Sequence, residues 1–277
     1  MPELPEVETV VRGLQRVLPG RRILGVRLGK TDFIDDPASL ERDLPGKTIM
    51  QVRRHGKFLV FDLQSGNQSE PAKALLIHLG MTGRLATTPS DAPILPHTHA
   101  FFALDNEREL RYTDIRRFGQ IRVLLNGQHV ATLGKLGLDP LEMSEPEFAE
   151  RISGHRAMIK ALLLDQTVLR GMGNIYTDES LWRARIHPRR LGSNLKPKEL
   201  KGLFRAAQDI LNEAIRLGGS SISDYVDANG QPGEFQLRHR VYQREGMKCF
   251  RCKTKIRRIV VAGRSSYFCP HCQRAPR

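Results

Sequence analysis

The 277-residue chain predicts an α+β protein of more than one domain, and three patterns carry that expectation. From Arg21 to about Val130 the sequence breaks into short runs of period two between Gly, Asn and Pro turns, as in an antiparallel sandwich or barrel. From Phe148 to Leu217 apolar residues recur at helical spacing. The stretch from Leu237 onward holds all four cysteines as two C-x-x-C pairs.

In chain order, Leu4, Val7, Val11 and Leu14 give residues from about Pro5 to Gln15 an apolar helical stripe, with Pro5 in the first turn and Glu6 and Glu8 at the positive end of the dipole. Leu4 precedes a proline and is expected to be extended, so Pro2 and Glu3 project ahead of the helix. Strands are expected at 23–28, 48–53, 57–63, 74–78, 99–104, 109–112 and 120–125, several of them joined by turns such as Ser65-Gly66-Asn67. Three interruptions stand out: Arg53 to Lys57, the Gly-flanked loop His78-Leu79-Gly80-Met81-Thr82-Gly83, and Asp114-Ile115-Arg116-Arg117-Phe118-Gly119. Singly, Lys57 reads as a solvated strand end, Met81 as core and Phe118 as a satellite contact. Together they supply apolar and aromatic wedges and an arginine, which is what opening a duplex requires. Helices are expected at 148–152, 158–164, 175–184 and 197–217, and Gly171 to Tyr176 forms a tight turn with Asn174 as cap. The Gly-rich stretch from Gly218 to Gly233 is long enough to be a lid.

The net charge of +14 is unevenly placed: residues 237–277 hold twelve Lys or Arg against Glu245 alone, the footprint of a polyanion binder. No apolar run approaches a membrane span, and Glu3, Glu6 and Glu8 replace the basic region of a secretion signal, so a cytoplasmic protein without membrane contact is expected. In that compartment Cys249, Cys252, Cys269 and Cys272, with sixteen residues between the pairs, read as four thiolate ligands of one structural zinc, not as disulfides. The intervening segment reads as a hairpin turning at Gly263-Arg264, with Arg264 at its tip.

The first residues gain meaning from this. A proline after Met1 favours removal of the methionine, which leaves a secondary amine beside the Glu3 carboxylate. An α-amino group titrates near pH 8, so it is available as a nucleophile without deep burial.

The opening Met-Pro-Glu-Leu-Pro-Glu-Val-Glu-Thr, His78 to Met81, Arg116 to Gly119, Gly171 to Tyr176 and the four-cysteine finger resemble, in order and over the whole chain, the bacterial formamidopyrimidine-DNA glycosylase family. The resemblance implies an N-terminal antiparallel β-sandwich with a packed N-terminal helix (residues 1–131), a linker (132–148), a helix-two-turn-helix domain (149–236) and a zinc-finger β-hairpin (237–277). It implies a monomer acting on damaged double-stranded DNA, releasing 8-oxoguanine and formamidopyrimidines and nicking the strand. Pro2 is implied as the Schiff-base nucleophile, Glu3 as proton donor, Glu6 as a positioning carboxylate, and Lys57 and Arg264 as catalytic phosphate-contacting groups. Met81, Arg116 and Phe118 are implied as the void-filling triad. His78, His97, Arg117, Lys160, Asn174 and Tyr242 are implied as further DNA contacts. Ile115, where proline is usual, and the length of the 65–74 segment depart from the pattern, remote from the chemistry. Endonuclease VIII-type enzymes usually carry glycine in place of Leu4 and lack the wedge. A non-catalytic zinc-ribbon damage binder would leave Pro2 and Glu3 without a task.

Overall fold

The computed structural model describes residues 1–65, 73–125, 133–222, 225–228 and 230–275. The turn at Gly66-Asn67 and the boundary at residue 131 lie outside them. The chain divides into two units, Met1–Lys135 with Leu217–Glu234, and Leu136–Arg216 with Phe235–Arg277.

In the first unit, helix α1 (Leu4–Leu14) buries Leu4, Val7, Val10, Val11 and Leu14. It starts one residue earlier than expected: the extended residue is Glu3, the N-cap, which tolerates Pro5 in the first turn. Two four-stranded antiparallel sheets form the sandwich. One has the order β1-β6-β7-β5, from Ile23–Leu28, Thr98–Leu104, Arg108–Thr113 and Arg84–Pro89. The other has the order β2-β3-β4-β8, from Thr48–His55, Phe58–Gln64, Lys73–His78 and Gln120–Leu125. Val7, Leu14, Val52, Phe61, Leu75, Phe102 and Tyr112 share one core, so α1 is part of the sandwich interior. Two elements were not anticipated. β5 is an edge strand of Thr and Ala with little alternation, and α2 (Pro37–Asp43) is a short helix that buries only Ser39 and Leu40. The Asp36 carboxylate caps it by accepting the Ser39 N–H at 3.1 Å.

Residues 217–234, expected within the second domain, belong to the first unit. The Ser220 N–H donates to Glu6 Oε1 (2.7 Å), the Tyr225 hydroxyl donates to the Glu6 carbonyl (3.2 Å), and Ala228 packs against Gly13 of α1.

The second unit holds α3 (Glu145–Ser153), α4 (Ile159–Leu164), α5 (Asn174–Ala184) and α6 (Pro197–Arg216), then the hairpin β9 (Arg257–Val261) and β10 (Arg264–Phe268). A capping box between Ser144 and Glu147 starts α3 ahead of its apolar positions, inside the expected linker. The hairpin turn is Ala262-Gly263, both at positive φ (50° and 71°), a two-residue turn of the primed type. Arg264 therefore opens β10, one position later than the turn expected at Gly263-Arg264.

Candidate active site and nucleic-acid interface

Pro2, Glu3 and Glu6 are all buried at the start of α1. Glu3 and Glu6 form a capping box, in which Glu6 Oε2 accepts the Glu3 N–H at 2.8 Å. The other Glu6 oxygen takes the Ser220 N–H, so one carboxylate ties the N-terminus to the 217–234 segment. Gly219 permits this approach: its φ is +82°, and a Cβ there would stand 2.8 Å from Glu6 Oε1. Arg54 joins α1 to the β2–β3 turn that carries Lys57, donating to Glu8 (2.8 Å) and to the Gly56 carbonyl (3.4 Å). Burial pushes the Glu8 carboxyl up, but the guanidinium groups of Arg54 and Arg12 outweigh it and hold the group below its usual range.

His78 closes β4 with its ring 5.0 Å from that of Phe58. Burial and the Lys57 charge lower its pKa to about 4, so the imidazole is neutral at physiological pH. Its Nδ1 accepts the Gly80 N–H (3.1 Å), which leaves the proton on Nε2, available to a phosphate oxygen.

Met81, Arg116 and Phe118 come from two loops joined backbone to backbone. A Cβ on Gly80 would fall 2.4 Å from the Phe118 carbonyl carbon, and one on Gly119 would fall 1.7 Å from the Tyr112 hydroxyl, so both loops need glycine. Asp114 fastens them and is fully buried. Its carboxylate accepts from the Thr82 and Tyr112 hydroxyls (2.5 and 3.1 Å) and from the Arg116 and Gly119 N–H groups (3.2 and 3.0 Å). The Tyr112 hydroxyl is raised by burial and by the Asp114 charge. On this rigid base Met81 (38% exposed) and Phe118 (56%) stand out in solvent, and the Arg116 guanidinium lies 4.5 Å from the Phe118 ring. Arg117, at φ +53°, pairs with Asp32 at 2.9 Å, and the His97 carbonyl accepts the Asp114 N–H at 3.0 Å.

In the second unit Gly173, not Asn174, is the N-cap of α5; Asn174 is its first helical residue. The Asn174 amide donates to the Ser265 carbonyl (3.0 Å), which also accepts from the Lys160 ammonium (2.8 Å). Arg264, next in the chain, is exposed at the start of β10. Lys160, expected to touch DNA, is fully buried and ion-paired with Asp178 at 2.7 Å, because the apolar face of α4 carries it inward. It positions the hairpin instead of presenting charge. Asp178 also accepts from the Ser266 hydroxyl (3.1 Å) and the Tyr267 N–H (2.9 Å). Tyr242 is held by Glu179, a fully buried carboxylate that accepts the consecutive N–H groups of Arg240, Val241 and Tyr242 at 2.9 Å each. Burial pushes the Glu179 carboxyl up, against these three donors.

Sequence reasoning missed Asp114, Glu179 and Ser220. Asp114 could have been found, since an aspartate opening a loop commonly binds that loop's own N–H groups. Glu179 and Ser220 bind residues 61 and 214 positions away, a distance no local pattern records.

The Sγ atoms of Cys249, Cys252, Cys269 and Cys272 all lie within 4.8 Å of one another, with Cys252 at 3.4 Å from Cys269 and 3.5 Å from Cys272. Four thiolates about 2.3 Å from a zinc would be separated by roughly 3.8 Å, so this donor set fits tetrahedral zinc. All four are free thiols. Cys249 and Cys269 pack with Trp182, Val241 and Ile256.

Residues 1–121 match the family described as the formamidopyrimidine-DNA glycosylase N-terminal domain, and residues 136–226 match its H2TH domain. The chain belongs to the formamidopyrimidine-DNA glycosylase family. Residues 246–275 match the zinc finger found in FPG and IleRS. The formamidopyrimidine-DNA glycosylase of Solibacter usitatus is 45% identical over 276 residues, covering 99% of this chain and 100% of that one. The corresponding enzyme of Desulforamulus reducens is 40% identical, again with coverage of 99% and 100%. Two solved structures of the family share the fold at a TM-score of 0.89: Lactococcus lactis Fpg with abasic-site DNA (36% identity) and MutM with DNA carrying carbocyclic 8-oxo-G (35%). Each covers 99% of this chain and 100% of its own. Like the relatives of its family, this chain is a DNA-repair glycosylase with a zinc-finger module. Among the described residues no helix is long and apolar enough to cross a membrane.

Proposed function

We propose that the protein is a bifunctional glycosylase and abasic-site lyase, releasing 8-oxoguanine and formamidopyrimidines from duplex DNA through a Schiff base on Pro2. The observation that carries this reading is the juxtaposition of Pro2 and Glu3 at a helix start whose Glu6 is anchored from both sides. Removal of Met1 frees the proline nitrogen. Met81 and Phe118 fill the space of the extruded nucleotide while Arg116 reads the cytosine left behind. The neutral Pro2 nitrogen attacks C1′, and Glu3 donates a proton so that the base departs neutral. The resulting iminium acidifies the C2′ proton. Loss of that proton expels the 3′ phosphate, a second elimination expels the 5′ phosphate, and water releases Pro2.

Lys57, His78, His97, Arg117, Asn174, Tyr242 and Arg264 hold phosphates of the bent strand. One zinc on the four cysteines has a structural task, because four protein thiolates leave it no open position. The test is borohydride reduction during turnover on an 8-oxoguanine duplex. A covalent complex through residue 2 is expected, with Glu3→Gln binding the duplex but failing to trap. Native protein from which Met1 has been removed and which binds the duplex but never traps would overturn the reading.

A further inference from the structure

The first unit contains a cavity that none of this chemistry uses. It measures about 480 Å³ and lies at the edge strand β5, with Val17, Leu95 and Val226 among its apolar lining residues and Arg84 and Arg108 among its charged ones. That volume suits a small organic molecule.

Its charges are not internally balanced. The Arg111 guanidinium, also in the wall, is neutralised by Glu109 at 2.8 Å and shared among backbone carbonyls of residues 89–93. Arg108 spends one donor on the Thr87 carbonyl (2.9 Å). Arg84 is half-buried in the cavity wall, and its guanidinium makes no hydrogen bond or ion pair among the described residues. The hydroxyl of Thr88, further along β5 in the lining, is buried without a hydrogen-bond partner among the described residues. Among the described residues the lining holds one acid, Asp227, whose Oδ1 accepts the Gln231 N–H at 2.8 Å. A half-buried guanidinium that no described residue pairs is open to an anion reaching it through the cavity.

We infer that this cavity is a binding site for a small amphipathic anion, with an apolar or aromatic body against the apolar residues of the lining and a phosphate, sulfonate or carboxylate head on Arg84. The inference stands apart from the lyase reading, since none of these residues takes part in the proposed chemistry.

The test uses 8-anilinonaphthalene-1-sulfonate as probe, titrated by fluorescence into the full-length protein saturated with undamaged duplex, so that the basic DNA-binding surface is occupied. Arg84→Met should weaken binding about tenfold, the loss of one charge-assisted hydrogen bond. Among the described residues the Arg84 side chain has no partner, so its replacement leaves none of them unpaired. Ala86→Trp, which fills the cavity, should abolish binding. Affinity unchanged in Arg84→Met, or no binding by the native protein, overturns the assignment.

Discussion

Glu6 accepts the backbone N–H of Ser220 at 2.7 Å, a residue 214 positions further along the chain. The bond requires Gly219 at φ +82°, with room for no Cβ. Gly219→Ala is expected to cost about 1–3 kcal/mol through the strained backbone alone. It should also displace Glu6, so borohydride trapping should slow by more than the shift in thermal midpoint explains. Equal trapping rates would detach the segment from the chemistry.

Asp114 accepts from two hydroxyls and two N–H groups beneath Met81 and Phe118, sharing the Arg116 N–H with the Thr82 hydroxyl oxygen (3.1 Å). Asp114→Ala takes the acceptor from the Thr82 and Tyr112 hydroxyls and the Gly119 N–H, and about 2–4 kcal/mol of stability should be lost in urea denaturation. With the wedge base loosened, extrusion of a 2-aminopurine reporter should weaken even at temperatures where the variant is folded.

Lys160 and Arg264 are both basic residues near the hairpin, yet salt dependence should separate them. Arg264→Ala should reduce the slope of log K against log salt by about one, as for a lost phosphate contact. Lys160→Met should leave that slope unchanged. It should instead destabilise the protein by about 3–5 kcal/mol, because Asp178 stays buried without its partner.

His78 titrates at about 4 in the folded protein against 6.5 for an ordinary histidine. Below pH 6.5 the unfolded chain binds a proton that the folded chain refuses, so His78 makes stability fall as pH drops from about 6.5 to about 4, and its contribution levels off below that. His78→Gln should flatten this part of a pH series of denaturation midpoints. Nitrogen-15 shifts should show the Nε2–H tautomer throughout pH 6 to 8.

Chelation of zinc should collapse the small cluster around Cys249, Cys269 and Trp182. Trp182 is the chain's single tryptophan, so its fluorescence should report the loss directly, in step with loss of duplex binding.

How much of this was legible depends on the range of the interaction. Seven strands, α1 and the hairpin follow from periodicity and turn residues, which act over a few positions, as in Ile23–Leu28 and Arg257–Val261. The edge strand Arg84–Pro89 was hidden because its half-buried Thr and Ala residues carry little hydrophobic alternation. Of the expected site residues, Pro2 and Glu3 were singled out by their chemistry in a short motif, Met81, Arg116 and Phe118 by their combination, and Glu6 by the family resemblance. Lys160 misled, since a basic residue in a basic protein suggests a surface, while the structure spends it inside on Asp178. Glu179 works through backbone N–H groups 61 to 63 positions away, which carry no sequence signature, whereas Asp114 binds its own loop and stood within reach of a local reading.

The discontinuous make-up of the first unit has a consequence for how the molecule is made. Its last piece, Leu217–Glu234, leaves the ribosome only after the whole of α3 to α6. Until then Glu6 lacks its Ser220 partner, however early the sandwich has formed around α1. Vectorial synthesis thus leaves the amine-bearing end of the chain as one of the latest parts to mature, and a fragment ending at Lys135 would keep the sandwich strands without a finished Glu6.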